Sequence, residues 1–190
     1  MRLFAAVLPP EQVVHELAAA VAGLKKLPGT ERLRWTNRPG WHFTLAFYGE
    51  VGEDVVPELS ARLQRAARHT DPFPLALRGG GQFGRGQVLW VGADGDLPVM
   101  RQLAGRAEAA GRKCGLAMEE HRRYLAHLTV ARSRHPVQVR PYVAALAEFT
   151  SRSWTVADLV LMRSNLPTSG VAGEQPRYEA VARWQLGGVG

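Results

Sequence analysis

Hydrophobic residues recur along this chain with two periods, one typical of helices and one of strands. Apolar positions three and four residues apart predict helices, whereas alternating β-branched and aromatic positions predict strands. The predicted strands are residues 2–8, 33–36, 41–48, 73–77, 88–91, 124–131, 154–162 and 178–186. The predicted helices are residues 11–27, 55–68, 97–114 and 141–149. No linker or low-complexity stretch divides the chain, so we expect one domain over residues 1–190.

Two pairs of predicted strands indicate the fold class. Residues 73–77 and 88–91 are separated by a glycine-rich stretch and predict a hairpin, and the last two strands flank a polar loop at 167–174. Such pairs are typical of antiparallel sheets rather than of doubly wound parallel ones. The sequence therefore predicts an α+β fold of mainly antiparallel sheet.

Length and composition exclude other classes. A chain of 190 residues with 46% hydrophobic residues can bury a sizeable core, so it is neither disordered nor a mini-protein. No apolar run approaches the ~20 residues of a membrane-spanning helix, and the apolar start at residues 3–8 is too short for a signal peptide. The single cysteine, Cys114, excludes an internal disulfide. We expect a cytoplasmic monomer that does not bind membranes.

The charge balance favours an anionic partner. Lys+Arg number 24 against 17 Asp+Glu, a formal net charge of +7. Almost all of the excess is arginine, which binds phosphate oxygens in bidentate fashion. An arginine-rich composition can also reflect a GC-rich genome. Charge alone leaves both interpretations open.

Three glycines imitate a dinucleotide-binding motif. Gly79, Gly81 and Gly84 match the spacing G-x-G-x-x-G. The motif needs a helix directly after the glycines, but here a predicted strand follows. We interpret these glycines as a turn, and dinucleotide binding is not expected.

A tetrapeptide pattern occurs twice, 85 residues apart. His42-Phe43-Thr44-Leu45 and His127-Leu128-Thr129-Val130 both read His-x-Thr-apolar, and both lie in predicted strands. Residues i and i+2 of a strand share a face, so each histidine points the same way as its threonine. Phe43, Leu45 and Phe47 would then face the core. One copy alone is more typical of an ordinary surface histidine than of a site.

The duplication changes that interpretation. Two copies predict two similar lobes that face each other and bring one imidazole to each side of a cleft. Histidine has an ordinary pKa near ~6.5, so it serves as a base when neutral and as an acid when protonated. The pair can therefore divide acid and base roles.

With these residues the chain resembles the 2H phosphoesterase superfamily, and within it the RNA 2′,3′-cyclic phosphodiesterases, also called 2′-5′ RNA ligases. The resemblance covers nearly the whole chain. It rests on the two motifs and on the stretches 1–6, 34–51, 88–90, 127–132 and 177–184. It implies two pseudo-symmetric lobes with outer helices and an active-site cleft between them.

The resemblance also implies a reaction, namely metal-independent hydrolysis of RNA 2′,3′-cyclic phosphate ends to 2′-phosphomonoesters, without a cofactor. His42 would be the proton donor and His127 the proton acceptor, while Thr44 and Thr129 hold the phosphate. Substrates would be RNA with cyclic phosphate ends, tRNA fragments included, or cyclic nucleotides. Reverse 2′-5′ RNA joining is a further expectation.

Four further residues are candidates for substrate binding. Arg132 resembles a phosphate-binding arginine of the family. In a regular strand it would point to the same face as Leu128, so the strand must bend or end before Arg132 can face the cleft. Tyr48, Phe83 and Arg85 could bind or stack on a base at the cleft mouth.

Metal binding is not expected. His15, His69, His121, His127 and His135 are conceivable ligands, but neither an H-E-x-x-H motif nor an acidic cluster accompanies them.

Two alternatives to RNA hydrolysis stay open. A 2H enzyme acting on a small cyclic phosphate would use the same residues with a different pocket. A non-catalytic RNA-binding module would need the positive charge but not two complete motifs.

Overall fold

The computed structural model describes residues 1–119 and 123–188, which form one antiparallel sheet and four α-helices. The strands are β1 (Arg2–Val7), β2 (Arg34–Trp35), β3 (Phe43–Glu50), β4 (Phe73–Phe83), β5 (Val88–Gly95), β6 (Leu128–Arg132), β7 (Trp154–Val156), β8 (Asp158–Asn165) and β9 (Arg177–Gln185). The helices are α1 (Glu11–Leu24), α2 (Val56–Arg68), α3 (Leu97–Lys113) and α4 (Arg140–Leu146).

The sheet consists of two halves that meet at β3 and β6, the strands that begin at the second residue of each motif. Eight strands follow the order β7-β4-β5-β6-β3-β1-β8-β9, and β2 pairs with β6. β3 and β6 are joined through the pair Phe43–Leu128, with four strands of this order in each half. Helix α4 packs on β4 and α1 on α4, whereas α3 packs on β3 and α2 on α3 and β8. This confirms the predicted α+β fold with two similar lobes and outer helices.

The sheet is strongly curled. Only Ala157 separates β7 from β8, yet β7 lies at one end of the strand order and β8 near the other. One residue spans at most ~3.6 Å, so the two ends of the sheet must approach each other. The curl gives the sheet a concave inner face and a convex outer face.

The two faces bury different residues. The outer face and the helices form the main core, in which Leu17, Leu59 and Leu103 of the helices are fully buried. A small second cluster of Phe4, Ala6, Val160 and Met162 lies on the opposite, inner face. Burying such apolar side chains contributes about 1.5–3 kcal/mol each. The large core thus fixes the sheet from outside and leaves its inner face for polar groups.

β3 and β6 each contain a β-bulge at the same position relative to the preceding histidine. In β3, Ala6 pairs with Thr44 and Ala5 with Ala46, so Leu45 is the extra residue. In β6, Trp90 pairs with Thr129 and Leu89 with Ala131, so Val130 is extra. Both extra residues lie three positions after a histidine. A bulge adds one residue and so shifts the alternation of side chains between the two faces. In each strand, the residues after the bulge therefore point to the face opposite to the one that strict alternation predicts.

Several predicted element boundaries were wrong. The glycines assigned to a turn lie partly within β4, which continues to Phe83, and Gly84 lies in the hairpin turn with φ +62°. A Cβ on Gly81 would lie 2.3 Å from the Trp90 ring, so glycine is required where that indole packs across β4. The predicted strand 154–162 is two strands, β7 and β8, which pair with different neighbours.

No helix in the described ranges 1–119 and 123–188 has the length and apolar character that crossing a bilayer requires. Cytoplasmic location and monomeric state stay predictions from the sequence.

Candidate active site

The first motif holds its histidine in one defined orientation. His42 directly precedes β3, and its Nδ1 lies 2.8 Å from the carbonyl oxygen of Gly40. A carbonyl oxygen only accepts hydrogen bonds, so Nδ1 carries the proton. The other nitrogen, Nε2, lies 3.0 Å from Oγ1 of Thr44. In the neutral imidazole Nε2 is the acceptor, and the Thr44 hydroxyl donates to it.

The second motif repeats the contact between Nδ1 and the backbone. His127 directly precedes β6, and its Nδ1 lies 2.9 Å from the carbonyl oxygen of Leu125, again the residue two positions earlier. Nδ1 therefore donates here too, and Nε2 of the neutral ring carries a free lone pair. Both histidines use Nδ1 for the backbone contact and leave Nε2 without a backbone partner.

The sheet register places the two motifs side by side. Phe43 pairs with Leu128 in the antiparallel β3–β6 contact. One residue further on each side, that register sets His42 opposite Thr129 and Thr44 opposite His127. Trp90 pairs with Thr129 from the other edge of β6. An approximate twofold axis thus relates two histidine–threonine pairs on the inner face.

The site lowers the pKa of both histidines. The pKa of His42 falls from 6.5 to about 4, mainly because burial penalises the imidazolium, with smaller contributions from the charges of Arg132 and His127. The Gly40 carbonyl opposes this shift. The pKa of His127 is also lowered, first by burial and then by the charge of Arg132, while the Leu125 carbonyl opposes. Both rings are therefore mainly neutral near pH 7 in the free protein.

Arg132 belongs to the site because of the bulge in β6. In a regular strand Arg132 would point to the same face as Leu128, which is fully buried in the core. The extra residue Val130 turns Arg132 to the inner face, and its charge acts on both histidines. The bend that the sequence analysis required for Arg132 is this β-bulge.

Aromatic rings border both histidines. The Phe83 ring is 38% exposed and meets His127 edge-on with centroids 5.0 Å apart, and Trp90 lies behind it at 5.4 Å from Phe83. On the other side, His42 packs against Phe4 at 4.7 Å and Tyr178 at 5.5 Å. The structure thus places Phe83 beside the motif residues, as expected for a residue that stacks on a base.

Tyr48 does not reach the cleft, which corrects the expectation from the sequence. It is 4% exposed, and its hydroxyl donates to the Ala107 carbonyl of α3 at 2.8 Å. The bulge at Leu45 reverses the alternation in β3, so Tyr48 turns into the core and Phe47 turns out of it. Phe47, predicted to face the core, is 43% exposed and carries Arg2 over its ring at 4.7 Å.

We expect Tyr48→Phe to lower the free energy of unfolding by about 1–2 kcal/mol, because the buried carbonyl of Ala107 loses its donor. Its kcat/KM on a cyclic phosphate substrate should match that of the wild type. Denaturant unfolding and steady-state kinetics measure the two effects. A large loss of kcat/KM with unchanged stability would instead indicate that Tyr48 contacts the substrate.

Arg85 lies at the tip of the β4–β5 hairpin with φ +58°. Its carbonyl accepts a hydrogen bond from the Val137 amide, and its side chain lines a cavity with Val137 and Arg140. The walls of that cavity are residues of the hairpin and of the segment 136–143, not of the motifs. The structure therefore does not bring Arg85 to the histidines.

Tyr124 is a positioning residue that the sequence analysis missed. Its hydroxyl donates to the Thr44 carbonyl at 2.9 Å, which ties the segment before the second motif to the strand of the first. It lies three positions before His127, and no periodicity marks it. Tyr178, which lies beside His42, belongs to the stretch 177–184 of the resemblance, and the sequence predicted no role for it.

Among residues 1–119 and 123–188, no metal-binding cluster accompanies the two histidines. In the described part of the chain, no three His, Cys, Asp or Glu residues lie together as metal ligands would. His121, one of the conceivable ligands, lies outside the described residues.

Comparison with known proteins shows which family the chain belongs to. The pattern of the 2′-5′ RNA ligase superfamily matches residues 9–167, which is most of the chain. The chain belongs to the 2′-5′ RNA ligase superfamily. This confirms the predicted family, and with it an enzyme of the phosphoesterase class.

Individual members of the superfamily agree with the family pattern. A protein of Thermus thermophilus named RNA 2′,3′-cyclic phosphodiesterase is 32% identical over 99% of this chain and 91% of its own length. A relative of the same name from Geobacillus stearothermophilus is 27% identical over 82% of this chain, which spans only 48% of that protein. A crystal structure of a Thermus thermophilus protein superposes with a TM-score of 0.76 at 27% identity, covering 99% of both chains.

Proposed function

We propose that this protein hydrolyses the 2′,3′-cyclic phosphate at the end of RNA to a 2′-phosphomonoester, with His42 as proton donor and His127 as proton acceptor. One observation carries the proposal. Two imidazoles, each with Nδ1 held by the carbonyl two residues earlier, lie in adjoining copies of one motif, and neither Nε2 is bound to the backbone. That arrangement supports general acid and general base catalysis on opposite sides of one phosphorus atom.

The reaction step balances with these two groups. Nε2 of His127 takes a proton from water as the water oxygen forms a bond to phosphorus. The bond from phosphorus to the ribose 3′ oxygen breaks, and protonated His42 gives its Nε2 proton to that oxygen. Thr44, Thr129 and Arg132 would hold the non-bridging oxygens, where charge develops. A ribose 5′-hydroxyl in place of water would give 2′-5′ joining.

The acid role of His42 needs a substrate that raises its pKa. The free site keeps His42 neutral, with a pKa of about 4. An anionic phosphate in contact with the ring stabilises the imidazolium and opposes the effects of burial and of Arg132. Substrate binding and protonation of His42 are therefore coupled, and the Thr44 hydroxyl that donated to Nε2 becomes free to donate to the phosphate.

RNA is the substrate that the relatives' names and the charge of this chain support together. Proteins named RNA 2′,3′-cyclic phosphodiesterase align over most of the chain, and the net charge is +7. Oligonucleotides with cyclic phosphate ends, including tRNA fragments, fit this description.

We expect purified protein to convert a cyclic-ended oligonucleotide to a 2′-phosphomonoester in the presence of EDTA. Chromatography beside 2′- and 3′-phosphate standards identifies the product. A 3′-phosphate would show that the substrate binds in the opposite direction, with the roles of the histidines exchanged. Activity that EDTA abolishes and a divalent ion restores would contradict the metal-independent mechanism.

A further inference from the structure

A groove beside the catalytic histidines is lined by four arginines. The proposed mechanism uses only one of them, Arg132, which lies at one end of the groove. It encloses about 690 Å³ and is lined by segments 31–34, 87–88 and 132–134 and by Ala172 and Gly173. Its arginines are Arg32, Arg34, Arg132 and Arg134, and it is here called the arginine groove. Arg132 is shared with the active site, so the groove leads directly away from the catalytic centre.

Sheet pairing forces two of these charges together. Arg34 of β2 pairs directly with Arg132 of β6. Directly opposite residues of antiparallel strands have Cβ atoms about 4.5–5.5 Å apart on the same face, and like charges there destabilise the sheet. Arg34 therefore shares the inner face with Arg132, one strand further from β5.

No carboxylate in the ranges 1–119 and 123–188 neutralises these charges. Within the described residues, none of the four guanidinium groups has a carboxylate within 4 Å, although Glu31 also lines the groove. Three other sheet arginines do have a carboxylate on a neighbouring strand. These pairs are Arg78–Asp94 at 3.2 Å, Arg163–Glu179 at 3.6 Å and Arg183–Asp158 at 2.9 Å. A repulsive arginine pair without a carboxylate partner favours the binding of an anion from outside.

The outer wall of the groove is anchored. The amide side chain of Gln175 accepts from the Asn37 backbone N–H at 3.0 Å and donates to the Trp35 carbonyl at 2.7 Å. These bonds tie the loop that contains Ala172 and Gly173 to the end of β2. The groove is therefore bounded by strands on one side and by a fixed loop on the other.

We propose that the arginine groove binds the phosphodiesters that precede the cyclic end of an RNA strand. This inference rests on the proposed function. A cyclic phosphate occupies the 3′ end, so the rest of the strand and all its further phosphates lie on the 5′ side. Arg132 holds the reacting phosphate, and Arg34 with Arg134 holds the next ones. The enzyme then selects an RNA strand over a single cyclic nucleotide.

The test compares three substrates, namely 2′,3′-cyclic AMP, the same nucleotide with a 5′-phosphate, and a cyclic-ended trinucleotide. Arg34→Gln and Arg134→Gln are measured against Arg68→Gln, which removes an exposed charge from the end of α2. We expect each groove variant to lower the ratio of kcat/KM for trinucleotide over cyclic AMP by roughly 10-fold. The slope of log kcat/KM against log salt should decrease by about 0.7 for each lost contact with a single strand.

The outcomes separate this inference from the proposed function. If the groove variants lose kcat/KM equally on cyclic AMP and on the trinucleotide, or lose it on neither, the proposal that the arginine groove binds the preceding phosphodiesters is overturned. A wild-type preference for the 5′-phosphorylated mononucleotide over the trinucleotide would identify a mononucleotide site and overturn it too. If no substrate turns over, the proposed function fails, and fluorescence anisotropy with a labelled trinucleotide still tests the groove. Arg34→Gln must then weaken binding more than Arg68→Gln does.

Discussion

Replacing His127 or His42 by asparagine is expected to lower kcat/KM for a cyclic-ended oligonucleotide by about 10² or more. The asparagine amide can still donate to the backbone carbonyl two residues earlier, so the local structure is kept while Nε2 is lost. The double variant should be little worse than the worse single variant, because groups that act as a unit are not additive.

His15→Asn is the matched control, since His15 lies exposed on α1 and far along the chain from both motifs. Circular dichroism and thermal unfolding establish that each variant is folded. A folded His127→Asn protein with a near-normal rate would exclude catalysis by two histidines.

Arg132→Gln is expected to lower kcat/KM by about 10² and to move its pH profile. The proposed mechanism requires one neutral and one protonated histidine, so we expect kcat/KM to be bell-shaped between their two pKa values. Both pKa values lie below 6.5 in the free protein, which places the maximum on the acid side of neutrality. The charge of Arg132 lowers both values, so its removal raises both and shifts the whole bell to higher pH.

Arg68→Gln again serves as control and should leave the profile in place. Measuring kcat/KM at constant ionic strength from pH 4 to 9 resolves both limbs. A loss of rate without any shift would mean that Arg132 binds the substrate but does not affect the imidazoles.

Period-two alternation was enough to predict the polar pairs His42–Thr44 and His127–Thr129 and the antiparallel sheet around them. It failed beyond the fourth residue of each motif, because the bulge at that residue changes which face the next side chains point to. Tyr48 was assigned to the cleft for that reason. Two adjacent apolar residues interrupt the alternation at Leu45-Ala46 and again at Val130-Ala131, and this was the available signal.

Other parts of the site depend on contacts between distant segments. Tyr124 reaches the Thr44 carbonyl 80 residues away, and Gln175 reaches β2 from 140 residues away. The split of residues 154–162 into two strands follows from pairing with opposite halves of the sheet. No local pattern contains this information, because each depends on how the sheet closes on itself.

The repeated bulge leaves the catalytic frame nearly symmetric but its charge one-sided. Five residues after each histidine, one copy presents the apolar ring of Phe47 and the other the guanidinium of Arg132. A half-turn exchanges the two histidines and the two threonines, but it cannot exchange these two side chains. The half-turn therefore relates the proposed acid and base positions, whereas this unequal position gives the cleft a polarity. A directional strand such as RNA, whose two ends differ, can be read in only one sense by such a cleft.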